Sequence, residues 1–464
     1  MFILLLIGLI FLLILIIAYI LLNRNSLIFI LLLCLIFVIF ISSLIINFGK
    51  KSINQNNEIA NNFAKQLNSK YLSSGNNILS NFPSEYTNLM NLIKNTSGFT
   101  PTYNNIQILQ NGENTYKSLF NELNNAQSNI NIEDFILKDD EIGMQFQQIL
   151  INKAKQGVKV KMIIDGLGIK VKNSALKKLR ESGVEICIFN KVVSSIFTGK
   201  LNNRDHRKIF IIDGKVAFTG GLNIGNEYLG KDPKIGYWRD TDIRIEGDAV
   251  KQLQCIFLSS WYVNSMKKIE DSAYFPKSSG KYNQIVQTIN GTYNMGESNI
   301  EYYYINLINN AKNNIDITTP YLVLNEKTYT AIMSAQLKGV QISIIIPSHG
   351  DSKTAYKATL YYANKLASKG INIYKYSKGF IHSKIIIIDE KIASIGTANF
   401  NNRSMKTDYD NCLLIYDLNT AKNLKQHFLE DINNSSILNT SENRNQNFMS
   451  KIYEKFCVTF SSIQ

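Results

Sequence analysis

The chain of 464 residues is long enough for two domains of ordinary size plus a membrane segment, and its formal net charge of +14 implies anionic partners, whether nucleic acid or acidic lipid. Its five cysteines, Cys34, Cys187, Cys255, Cys412 and Cys457, are scattered with no C-x2-C pair. That pattern argues against both a zinc site and a disulfide framework.

Met1 to Leu22 is apolar and uncharged over 22 residues, and after Asn23-Arg24-Asn25-Ser26 a second uncharged run of 20 extends from Leu27 to Ile46. Each can cross the roughly 30 Å hydrocarbon core of a bilayer as a helix. A cleaved secretory leader fits the first run poorly, because it lacks a basic start and a small-residue cleavage site. The short connection makes the pair a two-helix transmembrane hairpin over residues 1–47. Arg24 alone lies in its turn while Lys50 and Lys51 flank its exit, so the positive-inside rule puts the remainder in the cytoplasm.

Residues 48–105 are polar and Asn-rich and read as a linker, with a short helix suggested by Tyr86, Leu89, Met90 and Ile93. From Ile106 the pattern turns to alternating strands and helices. Asn129 to Leu137 predicts a strand, Glu141 to Gln156 a helix, and Val158 to Asp165 a second strand closed by Gly166. The order then repeats. Ala126-Gln127-Ser128-Asn129-Ile130-Asn131-Ile132 is echoed by Ala311-Lys312-Asn313-Asn314-Ile315-Asp316-Ile317, and Gly157-Val158-Lys159-Val160 by Gly339-Val340-Gln341-Ile342. An internal duplication follows, with two similar α/β domains, residues 106–275 and 276–464, packed face to face. At the C-terminus Phe448, Met449, Ile452, Tyr453, Phe456 and Phe460 fall at helical spacing, which predicts a helix packed on its own domain or on a membrane surface.

The chemistry lies in a motif written twice. His206-Arg207-Lys208, Asp213 and Gly220-Gly221-Leu222-Asn223 recur with identical spacing as His382-Ser383-Lys384, Asp389 and Gly396-Thr397-Ala398-Asn399. The whole chain holds four histidines, and two of them sit in these settings. Residues two apart on a strand share a face, so each His projects beside its Lys ahead of an apolar strand, Ile209 to Ile212 or Ile385 to Ile388. A cationic amine next to an imidazole suits an anionic phosphate, which the amine neutralises and the imidazole can attack or protonate. Tyr237-Trp238-Arg239-Asp240 is either a substrate contact or a packed aromatic corner with a structural ion pair. His349 could meet a headgroup, and His427 reads as a surface or packing residue.

These repeats look like the paired HKD motifs of the phospholipase D superfamily. Asn111-Gly112-Glu113, Asp165-Gly166-Leu167-Gly168, Tyr237-Trp238-Arg239-Asp240-Thr241 and Asn402-Arg403-Ser404 further resemble bacterial cardiolipin synthases over nearly the whole chain. The resemblance implies that both motifs meet in one site, that a phosphohistidine forms, and that no metal or other cofactor is needed. It makes His206 the nucleophile and His382 the general acid and then base, while Lys208, Lys384, Asn223 and Asn399 hold phosphate oxygens. Asp213 and Asp389 belong to the same motifs. Glu227 and Asp410 are the positional candidates for the acids that orient the histidine of the opposite half-site. Asp410 is a shorter residue than the Glu common in such relatives, and Gly221 opposite Thr397 leaves any hydroxyl contact to one half.

The implied reaction is reversible phosphatidyl transfer between two phosphatidylglycerol molecules, giving cardiolipin and glycerol. A membrane-bound phospholipase D hydrolase, a nuclease of the same superfamily and an inert membrane scaffold are the alternatives. Nucleic acid is not expected as a partner, because a membrane anchor reaches it awkwardly and no basic run is interleaved with stacking aromatics. Oligomeric state has no signature in the sequence.

Overall fold

The computed structural model describes residues 26–72, 78–79, 84–278, 280–294, 297–439 and 457–458. The first predicted span, and the C-terminal helix apart from Cys457 and Val458, lie outside the described residues.

One helix, α1 (Ser26–Tyr71), runs without a break for 46 residues. Leu27 to Tyr71 contains no proline and a single glycine, Gly49, so nothing ends the helix where the apolar run stops. Its first part is a membrane helix in composition: Ile36, Val38, Ile39 and Phe40 are each more than half exposed, and it is long and apolar enough to cross a bilayer. Its second part belongs to the core. Phe63, Ala64 and Leu67 share a buried face, and Tyr409 donates its hydroxyl to Asn57 Oδ1 at 2.6 Å. The stretch expected to be a linker is therefore built structure, made of this half-helix and of α2 (Ser84–Ser97), which buries Leu89, Met90 and Ile93. α1 lies along α3 (Asp248–Ser265), where Phe63 meets Tyr262 edge-on at 5.3 Å between centroids.

The strands repeat as two sets of seven. The first set is β1 (Thr102–Gln110), β2 (Asn129–Asp134), β3 (Lys159–Asp165), β4 (Glu185–Phe189), β5 (Ile209–Ile212), β6 (Val216–Gly220) and β7 (Thr241–Gly247). The second is β8 (Gln284–Gly291), β9 (Asn314–Thr318), β10 (Gln341–Pro347), β11 (Asn372–Tyr376), β12 (Ile385–Ile388), β13 (Ile392–Gly396) and β14 (Asp410–Ile415), with β15 (Ser435–Ile437) added at one edge. In each set the second, third and fourth strands pair in parallel, and the fifth and sixth form an antiparallel hairpin. The runs of β2, β3, β5, β6, β12 and β13 are buried almost throughout, as strands covered on both faces require, while β1 and β4 are only partly buried.

The expectation of two domains packed face to face needs correction. All these strands form one 15-stranded sheet in the order β15-β11-β10-β9-β12-β13-β14-β8-β1-β7-β6-β5-β2-β3-β4. The halves join where β1 and β8 pair antiparallel, Thr102 opposite Val286 and Asn104 opposite Gln284. Each of these equivalent strands has one edge satisfied by its own half and one edge open, and pairing across the pseudo-twofold axis satisfies both.

Candidate active site

Each His-x-Lys segment enters its hairpin alongside a segment of the opposite half. His206 N donates to Tyr409 O at 2.9 Å, and His382 N donates to Arg239 O at 2.7 Å. The residue after each of those carbonyls is a buried aspartate. His206 Nδ1 lies 2.9 Å from Asp410 Oδ1, and His382 Nδ1 lies 2.8 Å from Asp240 Oδ2. Each imidazole is thus oriented by a carboxylate from the other half. Both rings line one cavity of about 1200 Å³, together with Asn223 and Asn399. The lysines point back along the strand, with Lys208 Nζ donating to His206 O at 2.9 Å and Lys384 Nζ to His382 O at 2.5 Å.

The supports of the two carboxylates differ. Thr397 Oγ1 donates to Asp410 Oδ1 at 2.7 Å. Asp240 instead accepts from the Trp238 indole N–H at 3.1 Å and from the Thr241 amide at 2.9 Å. Gly221 occupies the position of Thr397 in the first half, and a Cβ there would collide with the Asp240 carboxylate. Asn111, in the left-handed conformation at φ 63, accepts from the Asp240 amide at 3.2 Å and fixes that strand entry. Asp165 does the like for the first motif, accepting from Arg204 Nη1 at 3.3 Å and the Asp205 amide at 2.9 Å. The His206 ring meets Phe135 edge-on at 5.3 Å, whereas His382 is enclosed by Trp238 at 4.9 Å and Phe380 at 5.9 Å.

Burial, and then the neighbouring lysine, pushes both histidines below their ordinary value, His382 down to about 3. Burial likewise lowers Lys208 and brings Lys384 down to about 7. Burial opposes ionisation of Asp240 and Asp410, yet His382 and His206 respectively hold them below the usual carboxylate range. With the aspartates ionised, each Nδ1 carries the proton it donates, and each Nε2 keeps its lone pair. Burial pushes Asp134 up to about 8 against the pull of Lys208. The cluster of desolvated bases favours an anion, since a phosphate stabilises every ammonium and imidazolium around it.

Several sequence-predicted residues sit elsewhere. Glu227 lines the cavity but pairs with Lys138, so it does not orient His382. That position belongs to Asp240, which directly precedes β7 where Asp410 opens β14, and aligning the two repeats from their strands would have found it. Arg239 in the same stretch pairs with Asp431 at 2.9 Å, so the expected structural ion pair involves Arg239 and not Asp240. Asp213 and Asp389 lie at the hairpin turns, each at φ 53, far along the strands from the histidines. Asp213 accepts from the amides of Gln127, Ser128 and Asn129 at 2.9, 2.7 and 2.9 Å. Asp389 accepts from those of Lys312, Asn313 and Asn314 at 2.9, 2.7 and 2.9 Å. The motif aspartates therefore clamp the fold and do not touch the site. Asn223 is tied to Tyr228 Oη at 2.7 Å and the Ile136 amide at 3.2 Å, while Asn399 Oδ1 is buried with no hydrogen-bond partner among the described residues. His349 is exposed beside Ser348 and Ile235, and His427 sits half-buried in α4 (Leu418–Asn433).

The family model described as "Cardiolipin synthase, PLD-like domain" matches residues 119–261 and 304–432. A probable cardiolipin synthase of Bacillus subtilis is 38% identical over 367 residues, spanning 78% of this chain and 73% of that one. Cardiolipin synthase 2 of Staphylococcus epidermidis is 36% identical over 375 residues, 80% of this chain and 77% of that one. Among solved structures, phosphatidylserine synthase of Haemophilus influenzae superposes with a TM-score of 0.59 at 16% identity, covering 81% of this chain and 100% of that one, a likeness of fold. Two crosswise histidine–aspartate pairs on a duplicated α/β frame, with these matches over most of its length, make the chain a member of the cardiolipin synthase family of phospholipase D-like proteins.

Proposed function

We propose that the protein is a membrane-anchored phosphatidyltransferase that joins two phosphatidylglycerol molecules into cardiolipin and releases glycerol. The observation that carries this reading is the pair of imidazoles, each fixed by the other half's aspartate, facing one cavity. His206 Nε2 attacks the phosphorus of the first lipid, forming a P–N bond as the P–O bond to the headgroup glycerol breaks. His382, protonated once the phosphate anion is bound, gives its Nε2 proton to the departing oxygen. It then takes the proton from the terminal hydroxyl of a second phosphatidylglycerol, whose oxygen attacks phosphorus and releases His206. Lys208 and Lys384 neutralise the phosphate oxygens, and Asn399, with its free carbonyl oxygen, has capacity to bind a hydroxyl.

The anchor supports a lipid substrate, since an enzyme held at a bilayer meets lipid hydroxyls at high effective concentration. Two spans, residues 1–22 and the apolar part of α1, with the catalytic halves in the cytoplasm, complete the proposal. A cysteine placed beside Arg24 labels from outside the cell and one beside Lys51 does not; the opposite pattern refutes this topology. For the chemistry, purified protein is given phosphatidylglycerol alone, with chelator present. Cardiolipin and glycerol are expected, and excess glycerol should drive the reaction backward. Dominant phosphatidic acid would make the protein a hydrolase, a requirement for a nucleotide-activated lipid a different synthase, and cleavage of labelled DNA in its place a nuclease.

A further inference from the structure

The cavity that holds His206 and His382 is walled on one side by Ile45 and Ile46 of α1 and by Ile196 and Phe197 of a short helix, Val192–Phe197. This short helix exposes apolar side chains: Val193 is 71% exposed, Phe197 55% and Ile196 52%, with Leu201 just beyond it also exposed. Leu167, exposed as well, lines the same cavity. Other exposed apolar residues, such as Met266 and Leu337, lie far apart in the chain, whereas Val193, Ile196, Phe197 and Leu201 fall within residues 193–201, and such a patch marks an interaction surface. Its position identifies the partner. The turn after the short helix is pressed against α1 where the apolar run ends: Gly199 has φ 67, and a Cβ on it would collide with Ile45 O, as one on Gly49 would with Thr198 O. The patch is therefore continuous with the exposed apolar surface of α1 at Leu44, Ile46 and Phe48. Exposed Lys50, Lys51 and Lys191 lie around the same junction, at the level where anionic headgroups end.

We infer that residues 192–201 dip into the bilayer interface beside α1, and that the part of the cavity lined by Ile45, Ile46, Ile196 and Phe197 is the lateral passage through which the acyl chains of the lipid substrate remain in the membrane while its phosphate reaches the two histidines. This rests on the lipid-transfer reading above for the passage, but not for the membrane contact. A diacyl lipid bound through its headgroup must leave its chains in an apolar surround, which Ile45, Ile46, Ile196 and Phe197 provide on the wall of the cavity at α1.

Two measurements on the full-length protein in phosphatidylglycerol vesicles test it. With Phe197→Trp, the emission added over the wild-type signal should shift to the blue and be quenched by lipids brominated on their acyl chains. Added emission that is insensitive to brominated lipid overturns the membrane contact, whatever reaction the enzyme performs. With Val193→Asp, a site outside the cavity wall, the rate on long-chain phosphatidylglycerol in bilayers should fall about fivefold or more, while the rate on monomeric dihexanoyl-phosphatidylglycerol holds. Equal loss on both substrates, or loss on neither, overturns the passage.

Discussion

Around His206 the orienting carboxylate, Asp410, is held by a side-chain hydroxyl, and the ring meets Phe135 edge-on; around His382 the carboxylate, Asp240, is held by an indole N–H and a backbone amide, and the ring sits between Trp238 and Phe380. The donor geometry at Nδ1 is nevertheless the same in both halves, 2.9 and 2.8 Å. The duplication has thus preserved what the chemistry reads, an Nε2 lone pair set by a fixed carboxylate, while the layer behind it has diverged. Gly221 and Thr397 illustrate the exchange. The indole occupies the donor role in one half, and the side chain that would duplicate it has been reduced to hydrogen because the carboxylate fills its space.

The largest effect should be symmetric. His206→Ala and His382→Ala are each expected to reduce turnover by about 10⁴-fold or more in a phosphatidylglycerol assay, because neither half supplies a substitute. A variant of either that keeps a tenth of the activity would break the equivalence of the halves. Next, Asp410→Asn and Asp240→Asn should lower kcat by about 100-fold or more with KM little changed, since an amide can favour the wrong imidazole tautomer. A change confined to KM would mean that the aspartates bind substrate instead.

The difference between the halves appears in the third test. Thr397→Val should cost about tenfold in kcat and Thr397→Ser should restore it, while Gly221→Thr, which adds bulk where Asp240 already sits, should lose activity without rescue by serine. Recovery of activity in Gly221→Ser would show that the first half has room for the same hydroxyl.

Asp213→Ala and Asp389→Ala should separate fold from chemistry. Each strands three backbone amides, so melting in detergent should show a loss of about 1–3 kcal/mol, with turnover per folded molecule within about twofold of wild type. A large kcat loss in folded protein would return these aspartates to the active site. A further effect is on pH. His206 and His382 are held below the unfolded value, first by burial and then by the lysines, so the unfolded chain binds the protons that the folded one refuses. Stability should therefore be full above about pH 6.5 and fall below it, by up to about 1.4 kcal/mol per pH unit per histidine. His382→Gln should flatten that fall, as seen by melting between pH 7 and pH 5.

Much of the frame is visible in the chain because the signals are local and repeated. The strand at 129, the helix at 141 and the strand at 159 follow from apolar runs bounded by turn residues, and the echo at 314 to 341 repeats them. The joining of β1 to β8 is not visible, because the edge left open by one strand is known only when its neighbours are. Nor is the continuation of α1 past its apolar run, where Ile53, Phe63 and Leu67 are too sparse among Asn and Lys to announce a core face. In the site, His-x-Lys is legible from spacing, whereas Asp240 and Glu227 both follow the first motif, and spacing from the motif does not tell which carboxylate reaches an imidazole; alignment of β7 with β14 does. Asp213 and Asp389 lie in the motif for the sake of the turn, a reason that spacing alone conceals.

The account stands most directly on a covalent bond between lipid phosphorus and a histidine of the crosswise pair. Full-length protein is mixed with phosphatidylglycerol, quenched within a turnover, digested and mapped by mass spectrometry. A phosphatidyl group on His206 is predicted. The same group on His382 would reverse the two roles, and its absence from both histidines while cardiolipin forms would contradict the mechanism.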